Sequence, residues 1–265
     1  MLKDRNFDKL IDQFEKRIYG TVKGELRLEL LREDLGELHS GEKLSIFDAG
    51  CGMGQMALWF AQAGHKITGC DISKKMLAKA HESFEGHGLD AEFHHLPAQV
   101  FAPTLPPQDL VLVHAVLEWL ADPVAALEAI AGSVRPGGHL SLLFFNHHGL
   151  IYRNAMYGTW RLDCLLDESW LGKGKKLTPP HPQKPEVLTA WLEAHGFTLR
   201  RHTGIRVFHD YIMKDILQKS DMKKLLALER KYCREDTFRN MGRYIHILAQ
   251  KEDSTKTERE KGSAS

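Results

Sequence analysis

Apolar positions along this chain follow two alternating periods. Short runs at 45–49, 65–71, 91–96, 109–114, 139–146, 197–208 and 242–249 read as strands. Leu110-Val111-Leu112-Val113 is continuously apolar, as a strand covered on both faces must be. Between the runs the spacing is helical. Phe7, Leu10, Ile11, Phe14 and Ile18 repeat on one face, Tyr19-Gly20-Thr21 interrupts, and Leu26, Leu28, Leu30, Leu31, Leu35 and Leu38 form a second amphipathic stretch. Ser73 is a good N-cap for a helix to about His87, where Gly86 and Gly88 end it. Asp122-Pro123 starts another, with Asp as cap and Pro at the first position. Further helical stretches are predicted at 186–195 and, as one long piece, at 211–232.

Strands alternating with helices predict an α/β fold: a doubly wound, seven-stranded, mostly parallel sheet with helices on both faces and helices before the first strand. The predicted organisation is one domain over 1–250. Residues 1–43 are its N-terminal helical segment, and residues 147–185 are an irregular lid or basic insertion. A polar tail at 251–265 is expected to be disordered. Composition describes an ordinary soluble protein, 43% hydrophobic and 27% charged, with a net charge of +1, so a polyanion would need a local patch. Cys51, Cys70, Cys164 and Cys233 form no C-x-x-C pair, which suggests neither zinc nor disulfides. No signal peptide and no apolar run of membrane length is present, so a cytoplasmic, membrane-free, metal-free protein is expected.

The candidate chemistry centres on Asp48-Ala49-Gly50-Cys51-Gly52-Met53-Gly54, between the first strand and a helix. Glycine there lets the chain turn sharply and lets a ligand lie against bare peptide. Asp71 ends the second strand about 20 residues on, where an acid grips ribose hydroxyls in this architecture. The two features imply a nucleoside-containing ligand. D-x-G-x-G-x-G with Gln55 departs from the dinucleotide pattern G-x-G-x-x-G. It resembles motif I of the Rossmann-like S-adenosylmethionine (SAM) methyltransferases, which implies SAM as cofactor.

Lys173, Lys175 and Lys176 lie in a stretch without acids from 171 to 185, and Arg200 and Arg201 lie on the sixth strand; these are candidate contacts to phosphates. A solvated loop is the plainer reading of the lysines. Arg27, among leucines, reads from pattern alone as part of a solvated helix face.

A narrower resemblance rests on Asp4-Arg5-Asn6-Phe7, Ile18-Tyr19-Gly20-Thr21, Lys23-Gly24, His114-Ala115-Val116-Leu117-Glu118-Trp119, 204–211 and Gly242-Arg243-Tyr244-Ile245-His246. These segments are similar to the bacterial tRNA 5-carboxymethoxyuridine methyltransferase family, over nearly the whole chain except the tail. That family esterifies the carboxymethoxy group of a wobble uridine, so the resemblance implies tRNA as partner. It also implies that Arg27 holds the SAM carboxylate and that Gly50, Cys51 and Gly52 line the methionine portion. Asp71 would hold the ribose, Ala98 and Gln99 the adenine side, and His114 the floor. The family often has a further glycine where this chain has Cys51. A carboxylate acceptor is already ionised at neutral pH, so no general base is required. Arg206, His209, Arg243, Tyr244 and His246 are the candidates for orienting it. Two rival readings are a SAM methyltransferase of a small molecule and a non-catalytic nucleotide- or NAD-binding protein.

Overall fold

The computed structural model describes residues 4–8, 11, 21–167 and 179–253. Seven strands form one sheet: β1 Ser45–Ala49, β2 Lys66–Cys70, β3 Glu92–His94, β4 Gln108–His114, β5 Val134–Phe145, β6 Phe197–Ile205 and β7 Tyr244–Lys251. Their order is β3-β2-β1-β4-β5-β7-β6. β1 to β5 are mutually parallel, and β7 is antiparallel to both of its neighbours. The order reverses between β1 and β4, so a crevice opens at the carboxyl ends of those two strands.

Two apolar layers hold the sheet, one on each face. Phe47, Val111, Val113, Leu140, Leu142 and Ile247 point to one, which the helices Pro123–Ala131 and Pro185–Ala194 cover. Ile46, Ile67, Leu110, Leu112 and Leu143 point to the other, covered by Val22–Ser40 and Gln55–Gln62. Alternate residues of one strand face opposite layers, so both faces demand apolar side chains. That is why the strands read as continuous runs. The predicted caps are made: Ser73 accepts from the Met76 N–H, and Asp122 from the Ala125 N–H. None of the described helices is long and apolar enough to cross a membrane.

Four expectations need correction. Part of 147–185 is regular, with helices His147–Tyr157 and Trp160–Leu166; the Asn146 side chain caps the first by accepting from the His148 N–H. The single helix expected at 211–232 is broken, because Asp221 caps a new helix, Met222–Tyr232, by accepting from the Lys223 and Lys224 N–H groups. Residues 4–8 are not helical but run as a strap across the crevice, and Lys251 belongs to β7 rather than to the tail. The expected tail from 254 on lies outside the described residues.

Candidate functional site

The glycine turn opens the crevice. Gly50, Gly52 and Gly54 all have positive φ, at 72°, 55° and 73°. A Cβ on Gly50 would sit 2.6 Å from Val116 Cγ2, so position 50 needs glycine for both its conformation and its space. Asp71 braces the turn: its Oδ2 accepts from the Gly52 N–H at 2.9 Å and its Oδ1 from the Ser73 N–H at 2.8 Å. Burial raises the pKa of Asp71 against the pull of those two bonds. Burial and the neighbouring Asp71 push Asp48 up to about 7.

A cavity of about 1300 Å³, counting its open mouth, runs from this turn beneath β4; Arg27, Asp48, Asp71, Gln99, His114 and Tyr244 are among its walls. The strap closes one side. Asp4 accepts from Gln99 Nε2 at 2.7 Å and from the Ala121 N–H at 2.8 Å, and Asn6 Nδ2 donates to the Ile72 carbonyl at 2.8 Å. Phe7 packs edge-on against Trp119, 4.9 Å between centroids. Residues 4–8 thereby tie together the loops that follow β2, β3 and β4. Three residues of the cavity wall each carry a buried polar atom without a partner: Arg27 at Nε, Gln99 at Oε1 and His114 at Nδ1. Unsatisfied buried polar groups are costly, and three converging on one cavity mark a polar ligand. A nucleoside with an amino-acid arm, as in SAM, fits that set of donors and acceptors.

A second group of charges lies beside the first. Arg206 and Arg243 both pair with the buried Asp210, at 3.5 and 3.7 Å, and Lys23 also interacts with it. Arg153 Nε donates to the Asp210 backbone carbonyl at 3.3 Å. Burial would raise the Asp210 pKa, but Arg206, His209, Lys23 and Arg243 together hold it far below the usual carboxylate range. Three cations thus act on one carboxylate while a fourth, Arg153, holds the same residue's backbone, and Arg206 Nε and Arg243 Nη1 have no hydrogen-bond partner. Tyr244 joins this cluster to the cavity, with the Arg206 guanidinium 5.4 Å from its ring centre. Lys23 and Arg153 were not singled out from the sequence; only Lys23-Gly24, within the resembling segments, pointed there. Glu118 and Asp4 were also missed as side chains of the site, though both fall in those segments.

Several expected residues lie elsewhere. His209 is 2% exposed, with Nδ1 on Asp210 Oδ1 at 3.0 Å, so it props the cluster rather than facing an acceptor. His246 is wholly buried between Asp34 and Ser141. Arg200 bonds Gln250 Oε1, and Arg201 pairs with Glu37 at 3.1 Å. Both arginines sit toward the amino-terminal ends of the parallel strands, opposite the crevice, where β6 residues 197–201 pair with 248–251 of β7 and β7 pairs with the start of β5. Lys173, Lys175 and Lys176 lie outside the described residues. The described residues hold no cluster of three or more His, Cys, Asp or Glu that could bind a metal.

A methyltransferase-domain family model matches residues 47–142. The chain is 40% identical, over 96% of its length and 98% of the relative's, to the tRNA 5-carboxymethoxyuridine methyltransferase of Escherichia coli K12. It belongs to that family. A ubiquinone biosynthesis O-methyltransferase of Pseudoalteromonas translucida is 29% identical over 68% of this chain and 73% of its own. Among solved structures, the magnesium protoporphyrin IX methyltransferase of Synechocystis PCC 6803 with bound SAM superposes with a TM-score of 0.60 at 16% identity, covering 93% of each chain. An S-adenosylmethionine-dependent methyltransferase of Mesorhizobium loti gives 0.56 at 20% identity, covering 87% of this chain and all of its own. These structural likenesses speak to the fold. Membership of the tRNA methyltransferase family makes the chain an enzyme and sets aside the non-catalytic NAD-binding reading.

Glu118 provides a pH test of the site. It is fully buried, its Oε1 accepts from the Phe145 N–H at 3.2 Å, and its Oε2 has no partner. Burial pushes its pKa from 4.5 up to about 8, against the Phe145 bond and Arg27. The folded state therefore holds a proton that the unfolded chain loses above its own, lower pKa. The associated stability is complete below about pH 4.5 and is lost as pH rises through 8, by up to about 1.4 kcal/mol per pH unit. In Glu118→Gln the decline of urea-unfolding stability between pH 5 and pH 9 should be visibly shallower than in the wild type; parallel declines would contradict the buried, protonated acid.

Proposed function

We propose that this enzyme transfers a methyl group from SAM to the carboxylate of 5-carboxymethoxyuridine at the wobble position of tRNA, forming the methyl ester. The observation that carries the acceptor is the excess of cations around Asp210, next to the cofactor cavity. A guanidinium matches the two oxygens of a carboxylate, and Arg206 and Arg243 each have a buried nitrogen without a partner. Arg206 and Arg243 would orient the acceptor, with Tyr244 as the wall between acceptor and donor and His209 as a prop.

SAM supplies a methyl group already activated on a sulfonium. Asp71 would accept from the ribose hydroxyls, and Gln99 Oε1, fixed by the bond from Gln99 Nε2 to Asp4, would accept from the adenine amino group with Ala98 beneath it. Gly50, Cys51 and Gly52 would give bare backbone along the methionine arm, Arg27 would take its carboxylate, and His114 would close the floor. A carboxylate nucleophile needs no base at neutral pH. The protein's task is alignment, which can remove several kcal/mol of barrier, and exclusion of water, to which the strap at 4–8 contributes.

The tRNA surface is best supported by the helices at 147–157 and 160–166. Tyr157 is 49% and Trp160 63% exposed. Arg161 stands over Tyr157 at 4.4 Å and over Trp160 at 5.5 Å, and Arg153 over Tyr157 at 5.1 Å. Exposed rings interleaved with arginines suit unpaired bases and their phosphates. Lys173, Lys175 and Lys176 follow these helices in the chain and would extend the positive surface; Arg200 and Arg201 would reach only a more distant part of the tRNA. The cytoplasm, where tRNA is modified, is the proposed location.

Two outcomes are expected. With labelled SAM, tRNA carrying the carboxymethoxy acid should take up label that mild alkali releases as methanol, and tRNA from cells blocked in carboxymethoxyuridine synthesis should take up none. Equal labelling of both, or alkali-stable label, would sink the carboxylate reading and favour a different acceptor. Trp160→Ala should weaken tRNA binding about fivefold or more, from the loss of about 1–3 kcal/mol of stacking, and leave SAM affinity unchanged. Unaltered tRNA affinity would remove these helices from the interface.

A further inference from the structure

A buried row of polar side chains crosses the sheet and ends at the cofactor cavity. Arg234 donates to Asp34 Oδ1 from Nε at 3.1 Å and from Nη2 at 2.7 Å. Asp34 Oδ2 lies 2.7 Å from His246 Nδ1, His246 Nε2 lies 2.9 Å from Ser141 Oγ, and Ser141 Oγ lies 2.8 Å from His114 Nε2. Asp34, His246 and Ser141 are buried in the core, on the helix Val22–Ser40 and on β7 and β5. None of them lines the cavity. The last residue of the row, His114, does line it, and its Nδ1 has no partner in the protein.

Hydrogen-bond direction passes along such a row. Asp34 only accepts when ionised, so His246 Nδ1 must donate to it. A neutral His246 then accepts at Nε2 from the Ser141 hydroxyl. The Ser141 oxygen accepts from His114 Nε2–H, and His114 Nδ1 is left as a bare lone pair. A protonated His246 would still donate to Asp34 but would reverse the two steps beyond it and put an N–H at His114 Nδ1. Charge decides between the two. The Arg234 fork, shared with Glu33 at 3.6 Å, pairs with Asp34, whose pKa the bond from His246 and then Arg234 hold at about 2 although burial would raise it. The other titratable groups around His246 are His202 and His114, with Arg27 beyond His114. A cation at His246 would face no second anion.

We propose that Asp34, His246 and Ser141 fix the tautomer of His114, so that its Nδ1 is a standing acceptor for the α-ammonium of the methyl donor's amino-acid end. Arg27 Nε, unpartnered on the same cavity wall, supplies the complementary donor for the α-carboxylate. One unpartnered acceptor and one unpartnered cationic donor together recognise a zwitterion. Asp34, His246 and Ser141 are positioning residues, acting through His114. Burial above all keeps His114 well below its ordinary pKa, consistent with a neutral ring. The inference rests on the methyl donor assigned above and not on the acceptor, so failure of the tRNA assay leaves it standing.

The test uses the full chain without ligand and two probes. Nitrogen NMR of histidine-labelled protein, with the His114 signal identified by its loss in His114→Gln, reads the tautomer directly. The expected form between pH 6 and 8 is Nε2–H with Nδ1 unprotonated. Calorimetry then compares S-adenosylhomocysteine, which keeps the amino-acid arm, with methylthioadenosine, which lacks it. Ser141→Ala should weaken the first about tenfold and leave the second unchanged, and Ser141→Thr, which keeps a hydroxyl, should recover much of the loss. An Nδ1–H tautomer in the wild type, an equal loss for both probes, or no loss for either would overturn the proposal. If Ser141→Ala does not fold, the wild-type tautomer decides. If the wild type binds neither probe, the donor assignment is what fails.

Discussion

One buried carboxylate, Asp210, holds together the cation cluster proposed as the acceptor end of the site. Two arginines and Lys23 are drawn to it, and it cannot balance them all. Burying a charge without a partner is expensive, so the arrangement stands only because the backbone around it is rigidly held. Glu229, on the helix Met222–Tyr232, supplies that hold. Its carboxylate accepts from the N–H groups of Val207, Phe208 and His209, at 2.7, 3.1 and 2.8 Å. This clamp keeps the turn after β6 in place, including Arg206 at a φ of 63°, a conformation that costs a side-chain-bearing residue about 1–3 kcal/mol. Ala115, at the end of β4, is held in the same region at 58°. Non-glycine strain thus falls at both halves of the site, at the cofactor wall and at the cation cluster.

The antiparallel insertion of β7 explains why the two halves touch. A purely parallel sheet would bring only strand carboxyl ends to the crevice. β7 runs the other way, so its first residue, Tyr244, arrives there beside Phe145 at the end of β5. Arg243 precedes it and stacks on the Phe145 ring at 4.3 Å. The hairpin-like approach of β6 and β7 then places Arg206 and Arg243 next to each other although 37 positions separate them in the chain. The proposed binding of a donor and an anionic acceptor on one platform would follow from that strand order.

Much of this was legible in the sequence because it depends on local rules. Glycines at alternating positions, an acid closing each of the first two strands, and the Ser73 and Asp122 caps are all set within a few residues. The strand count followed from apolar runs that must be covered on both faces. What escaped depends on contacts between distant segments. His246 looked like a site residue from its motif, but Asp34, 212 positions away, draws it into the core. Asp210 was visible only as one letter in a resembling segment, since nothing nearby announces that Lys23 and Arg153 converge on it. The strap at 4–8 is held by side chains that satisfy loops after three different strands, which no periodicity encodes. The helices at 147–157 and 160–166 were hidden for a simpler reason: they bury little, so their apolar pattern is weak.

The central claim is that surplus positive charge around Asp210 holds the acceptor carboxylate for attack. Single-turnover methyl transfer by Arg243→Gln, with saturating SAM and carboxymethoxyuridine-bearing tRNA, tests it most directly. Charge-assisted bonds are worth about 1.5–3 kcal/mol each, so the rate constant should fall at least tenfold, while S-adenosylhomocysteine affinity and the unfolding midpoint stay near wild type. A folded Arg243→Gln enzyme that transfers methyl at the wild-type rate would contradict the account.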